Sequence, residues 1–185
     1  RHDHHRFGLR MRSAASGTSP PGRRCAVDMC PKDPPGVAKL IRRGDLVFDV
    51  GAHSGSKAEA SLADGARVVC VEPQPQCIAE LRRRFRSSRR LTVVPLALGA
   101  REGTQTLSIC SRADVLSTLN EHWKHGRFAS YDWDKHIDVE ISTLDSLIEK
   151  YGMPRYCKID VEGSELAVLQ GLSRPMPFNS IEYAI

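Results

Sequence analysis

Two short segments hold the residues best suited to chemistry. The first, Asp49–Gly55, reads DVGAHSG. Gly51 and Gly55 remove side chains where a backbone turns tightly from strand to helix and let a ligand approach closely. The dinucleotide fingerprint requires G-x-G-x-x-G. His53 stands at its third position, which argues against NAD or FAD. Asp49 beside such a turn is a poor host for pyrophosphate and a good one for an ammonium group. Glu72, which ends VVCVE, can accept two ribose hydroxyls by the geometric logic of nucleotide folds. A ligand with an amino acid at one end and a ribose at the other satisfies both carboxylates, and S-adenosylmethionine is such a ligand. Taken singly, Gly51 is equally a plain strand-to-helix turn and Glu72 a solvent-facing carboxylate. Their order at successive strand ends shifts the weight toward a site.

The second segment, Lys158–Leu172, reads KIDVEGSELAVLQGL. Lys158, Asp160 and Glu162 alternate with Ile159 and Val161, so a strand of period two sends the three charged side chains to one side. Inside a parallel sheet that placement is costly. At the C-terminal rim, where open α/β sheets bind ligands, it is useful. The competing account is a structural Lys–Asp pair beside a helix start.

These residues need a scaffold, and the rest of the pattern supplies one. Strands are predicted at Asp45–Val50, Arg67–Val71, Leu91–Leu96, Tyr156–Val161 and Ser180–Ile185. Helices are predicted at Ser54–Ala63, Pro75–Phe85, 144–151 and Ser164–Leu172, the third carrying Leu144, Leu147, Ile148 and Tyr151 at helical spacing. Val47–Val50 and Val68–Val71 are almost continuously apolar, as strands buried on both faces are. Gly103–Cys110 and Ile137–Ser142 alternate polar with apolar residues, and the first is expected as an edge strand or hairpin added to the main pattern. The series predicts an α/β fold, a doubly wound and mostly parallel sheet.

Composition agrees. Of 185 residues, 41% are hydrophobic and 26% charged, which excludes wholesale disorder. No apolar run approaches the ~18–20 residues of a membrane span. The net charge of +5 is unevenly spread: residues 1–36 hold seven Lys or Arg against three Asp, and the remainder 20 against 19. The near-neutral remainder gives little support to nucleic-acid binding. Residues 1–36, rich in Arg, Pro, Gly and Ser, read as a flexible basic leader without the apolar stretch of a secretory signal; residues 37–185 read as the folded domain. The six cysteines form no disulfide framework, Cys25 and Cys30 have no second pair to complete a zinc site, and a reducing, cytoplasmic setting is expected.

DLVFDVGAHSG, VVCVEP, LALGAREGT, the later Ser117–Leu119, ISTLDSL and KIDVEGSELAVLQGL occur in an order that resembles FkbM-type methyltransferases. Those are class I enzymes that use S-adenosylmethionine to methylate hydroxyls of sugars or polyketide-like products. The resemblance spans about 45–185 and implies a Rossmann-like sheet. It implies cofactor binding by Asp49, Gly51, Gly55, Glu72 and Ser117, with His53 where the family usually has Asn, and places Asp160 and Glu162 near the transferred methyl group and the acceptor. It also implies an antiparallel pair of strands beyond the fifth, so a chain ending at Ile185 is expected to be a fragment, cut at both ends.

The expected reaction is an in-line displacement that the protein promotes chiefly by alignment. Asp160 is the first candidate for the base, with Glu162 and His53 behind it. A divalent cation held by the carboxylates is an alternative that no ligand pattern in the sequence supports, and no metal ligand is assigned. Glu182 is a further rim carboxylate. Ser111–Lys135, with Asp114, His122, Trp123, His125, Tyr131 and Trp133, suits either stacking on a sugar or a lid over the core. Two other functions compete: a non-catalytic methyltransferase-like module, and a nucleic-acid methyltransferase suggested by Arg82–Arg84, Arg86, Arg89 and Arg90. The second lacks interleaved aromatics and a base-flipping motif, which leaves a small-molecule hydroxyl as the expected acceptor.

Overall fold

Leu46–Val50 (β1) is buried at all five positions, the signature of a central strand covered on both faces. Its neighbours are Arg67–Val71 (β2) and Tyr156–Ile159 (β7), both parallel to it. Leu91–Val94 (β3) and Asn179–Ile181 (β8) extend the sheet outward, again in parallel, to the order β3-β2-β1-β7-β8. The computed structural model describes residues 40–125 and 128–182. The leader reading for residues 1–36, including Cys25 and Cys30, and the last residues of the expected fifth strand fall outside the described residues.

The two faces are covered by different helices. Val47, Val68, Cys70 and Tyr156 face Ala58 and Leu62 of α1 (Ser56–Ala63) and Leu81 of α2 (Pro75–Arg84). Leu46, Phe48, Val50, Val69 and Ile159 face Leu144, Leu147 and Ile148 of α3 (Leu144–Tyr151) and Val168 of α4 (Glu165–Gln170). Successive residues of one strand thus feed opposite cores, as period two requires, and the sheet is doubly wound. Thr143 Oγ1 accepts the Ser146 N–H at 3.1 Å and starts α3, while Gly152, at φ 96°, ends it.

The two alternating segments do not edge the main sheet. Gly103–Ile109 (β5) pairs antiparallel with Lys135–Ser142 (β6), which also carries the two-residue strand Ala97–Leu98 (β4) in parallel. They form a separate three-stranded sheet, β4-β6-β5, around Ala97, Leu107, Ile109, Val139 and Ile141. Each segment is half-buried because it packs one face only, and each finds its partner in the other.

Cys70, Cys77, Cys110 and Cys157 are free and buried, and Cys70 and Cys157 pack as small hydrophobes in the two cores flanking the sheet. Among the described residues no helix is long and apolar enough to cross a membrane. Arg83 pairs with Glu80 and Arg84 with Glu59, so part of the basic run of α2 spends its charge within the protein.

Candidate functional site

The strand order reverses direction between β1 and β7. In open α/β sheets, ligands bind in the crevice at the C-terminal ends of strands flanking such a switch point. Asp49, Glu72 and Asp160 all lie at that rim. Asp49 is 2% exposed on a strand otherwise apolar, and a buried carboxylate demands a counter-charge. Lys158, its register partner on β7, provides it: Nζ is 4.0 Å from Asp49 Oδ1 and donates to Asp160 Oδ2 at 2.7 Å. The Lys–Asp pair of the competing account is therefore present, and Lys158 bridges the two strands across the switch point.

The glycine turn is shaped by the protein itself. Gly51, at φ 77°, lies against the Asp160 carbonyl: a Cβ there would come within 1.8 Å of that oxygen. Gly55, at φ 80°, lies under α2, where a Cβ would meet Phe85 at 2.6 Å and Leu81 at 2.7 Å. Backbone and core thus exclude any side chain at either position, which is why both are glycine. The N–H groups of Gly51 and Ala52 bond the Val71 carbonyl, that of Gly55 bonds Ala52, and that of His53 bonds Glu72 Oε2 at 2.8 Å. These four donors are engaged within the protein itself.

Glu72 is buried, which overturns its reading as a solvent-facing strand end. Its second oxygen accepts the Gln74 N–H at 2.9 Å. Burial raises its pKa above the ordinary carboxylate value, and the two backbone hydrogen bonds oppose that rise. Gln74 in turn donates to the Asp114 carbonyl at 3.1 Å and accepts from Ser117 Oγ at 3.1 Å. Ser117 therefore reaches the rim through Gln74, docking the segment after β5 onto the end of β2.

Glu162 does not share a strand face with Lys158 and Asp160. β7 stops at Ile159, and Glu162 sits in a left-handed turn at φ 52°, followed by Gly163 at φ 94°. The cause lies in Glu165, 5% exposed, whose Oε1 accepts the N–H groups of both Val161 and Gly163 at 3.1 and 3.2 Å. Thr118 Oγ1 donates to the Glu162 carbonyl at 2.6 Å and Asn120 Nδ2 to the Gly163 carbonyl at 2.7 Å. Trp123 covers Gly163 so closely that a Cβ would meet its ring at 2.7 Å. Burial, then the charges of Asp160, Glu165 and Glu182, push the Glu162 carboxyl up to about 8, against the pull of Lys158. Burial and Asp160 likewise raise Glu182.

Sequence reasoning missed Gln74, Cys77, Thr118, Asn120 and Glu165. Only Glu165 carries a signal, a carboxylate three residues after Glu162 at a helix start. It also missed that His53, Cys77 and Asp114 converge, with one ligand-capable atom of each within 4.8 Å of the others. Asp114, Ser117, Thr118 and Asn120 clasp the rim, and beyond them Trp123 and Phe128 meet tilted at a centroid separation of 5.1 Å while Phe128 and Tyr131 meet edge-on at 6.2 Å. A groove of about 590 Å³ adjoins Gly163 and is lined in part by Arg101, Gln105, Asn120, Glu121 and Leu166.

The fold is a doubly wound α/β sheet with Asp49, Glu72 and Asp160 at the rim where such sheets hold their ligand cleft. The family model for the methyltransferase FkbM domain matches residues 49–179, and the chain belongs to that methyltransferase family. No curated protein matches it. Among solved structures it is similar to a protein assigned as an rRNA methylase from Clostridium thermocellum, at 18% identity and TM-score 0.30, over 33% of this chain and 36% of that one. It is also similar to the C-terminal domain of precorrin-6Y C5,15-methyltransferase from Rhodobacter capsulatus, at 17% identity and TM-score 0.40, over 71% and 48% of the two chains. A third is assigned as an S-adenosylmethionine-dependent methyltransferase from Listeria monocytogenes, at 15% identity and TM-score 0.31, over 60% and 74%. The alignments with the first two thus cover about a third and about half of those proteins.

Proposed function

We propose that residues 37–185 are a domain that binds S-adenosylmethionine at the switch point and methylates a hydroxyl of a small-molecule acceptor, a sugar or related metabolite. The supporting observation is the convergence of Asp49, Glu72 and Asp160 at the ends of three adjacent parallel strands, within a chain of this family. The bound cofactor would supply an electrophilic methyl group on a sulfonium. The residues present fit it: Glu72 keeps two buried carboxylate oxygens beside the glycine turn, acceptors of the kind that the two hydroxyls of a ribose require. Gly51, His53, Gly55 and Ser117 would line the same pocket, and Asp49, with Lys158 moderating its charge, would face the amino-acid end.

Asp160 and Glu162 are the groups available to take the hydroxyl proton. Asp160 is held and oriented by the Lys158 ammonium, which donates to its Oδ2 at 2.7 Å. Glu162 is raised to about 8, closer to the range in which a base both exists and pulls effectively at neutral pH. Trp123 and the groove beside Gly163 supply the acceptor side. Calorimetric titration with S-adenosylmethionine and S-adenosylhomocysteine, with NAD alongside, tests the cofactor: saturable binding of the first two alone is expected, and NAD binding alone would refute the reading. Radiolabelled methyl transfer to a panel of sugars and other hydroxyl compounds tests the acceptor class; transfer only to nucleic acid would replace it.

A further inference from the structure

Three side chains from three separate elements meet at the edge of the cleft. His53 projects from the glycine turn, Cys77 from the first turn of α2, and Asp114 from the 3-10 turn Asp114–Leu116. Their ligand-capable atoms all lie within 4.8 Å of one another. His53 Nε2 and Asp114 Oδ1 are 3.2 Å apart. In a tetrahedral zinc site with bonds of about 2.0–2.3 Å, neighbouring ligand atoms stand about 3.3–3.8 Å apart. The His–Asp edge already has nearly that length, and the sulfur needs a movement on the order of 1 Å to complete the triangle.

The backbone at each corner is fixed by contacts of its own. His53 is held in the left-handed region, at φ 46°, by its N–H bond to Glu72. The Asp114 carbonyl is pinned by Gln74, and Gln76 Nε2 stands 3.3 Å from Asp114 Oδ2, where an outer partner orients a ligating carboxylate. His53 Nε2 is buried and makes no aligned hydrogen bond, although Asp114 Oδ1 lies 3.2 Å away. Cys77 is 5% exposed, and burial, then Glu72 and Asp114, raise its thiol above the ordinary value. The His53 and Asp114 side chains are about a third exposed, which gives an ion an entry path and leaves room for a fourth ligand.

We infer that His53, Cys77 and Asp114 form a zinc(II) site with an open fourth position at the edge of the cleft. Imidazole, thiolate and carboxylate are a borderline donor set that suits zinc and its spectroscopic substitute cobalt rather than magnesium or calcium. The metal displaces the Cys77 proton as the Zn–S bond forms, so uptake releases a proton and weakens as pH falls. The assignment does not depend on methyl transfer.

Titration of the full chain with Co²⁺ tests it. A thiolate-to-cobalt charge-transfer band in the near ultraviolet is expected, saturating at one equivalent and erased by Zn²⁺. Cys77→Ser should abolish the band, and His53→Asn or Asp114→Asn should weaken binding at least ~10-fold, since even outer partners of a metal site carry effects of that size. No band in the folded chain overturns the site, and so does a band unchanged in Cys77→Ser, because another cysteine would then be its source. Should Cys77→Ser fail to fold, Asp114→Asn, on a partly exposed side chain, decides: weaker cobalt binding supports the site and unaltered binding overturns it.

Discussion

Gly51 lies against the carbonyl of Asp160, so that a single added methyl would sit 1.8 Å from the oxygen. The contact joins the turn after β1 to the end of β7, across the switch point. Gly51→Ala must therefore push the two strand ends apart as well as strain φ. Overpacking together with left-handed strain predicts a loss of about 3 kcal/mol or more. Gly44, at φ 91° with nothing near its missing side chain, is the control, and Gly44→Ala should cost only about 1–2 kcal/mol. Urea unfolding of both variants measures the difference; equal losses would mean that the contact with Asp160 is not what restricts position 51.

Glu72 joins two tasks. It terminates the N–H groups of His53 and Gln74, and on the proposed reading it holds the ribose. Glu72→Gln keeps the shape but presents an amide donor to one of those N–H groups, at a cost of about 1–3 kcal/mol. Affinity for S-adenosylmethionine should fall at least ~10-fold, the equivalent of about 1.4 kcal/mol. A folded Glu72→Gln protein that retains parental affinity would remove this residue from the site.

The Glu162 carboxyl moves from 4.5 to about 8 on folding, through burial and then Asp160, Glu165 and Glu182, with Lys158 opposing. A raised folded-state value favours the protonated form. Its contribution is complete below about pH 4 and is lost as pH rises through the folded value. Glu162→Gln does not titrate, so its stability relative to the parent should improve steadily between about pH 4 and about pH 8. Thermal melts of the two proteins across that window decide the point, and a constant gap would contradict it. If Glu162 is the base, methyl transfer should rise over the same upper range in the parent.

Thr118 donates to the Glu162 carbonyl and accepts the Asn120 N–H at 2.9 Å. Thr118→Val keeps the volume and strands both groups, at about 1–3 kcal/mol. Because Glu162 shifts while the Glu72 side of the cleft does not, kcat for methyl transfer should fall more than cofactor affinity. A parallel loss in both would assign Thr118 a role in stability alone.

The central strands are legible because burial on both faces leaves an unbroken apolar run, as in Val47–Val50 and Val68–Val71. The second sheet is only half legible. Alternation in β5 and β6 reports that each has one wet face, and says nothing about which sheet the other face joins. Asp49, Glu72 and Asp160 could be named because strand ends are visible in sequence and ligands gather there. Glu162 leaves the strand that period two predicts for it, since the carboxylate that bends its turn, Glu165, looks like any acid at a helix start. His53, Cys77 and Asp114 share no period or spacing; three separate elements bring them together only once the sheet has closed.

The hold of Thr118 and Asn120 on the 162–163 turn has an evolutionary side. The segment that on the proposed reading presents Trp123 to an incoming acceptor is also the brace for Glu162. Exchanging that segment to change what is recognised would therefore release the brace as well. On that reading selectivity and acid placement are mechanically tied, and diversification should proceed by substitutions that spare Thr118 and Asn120 rather than by wholesale replacement of the loop.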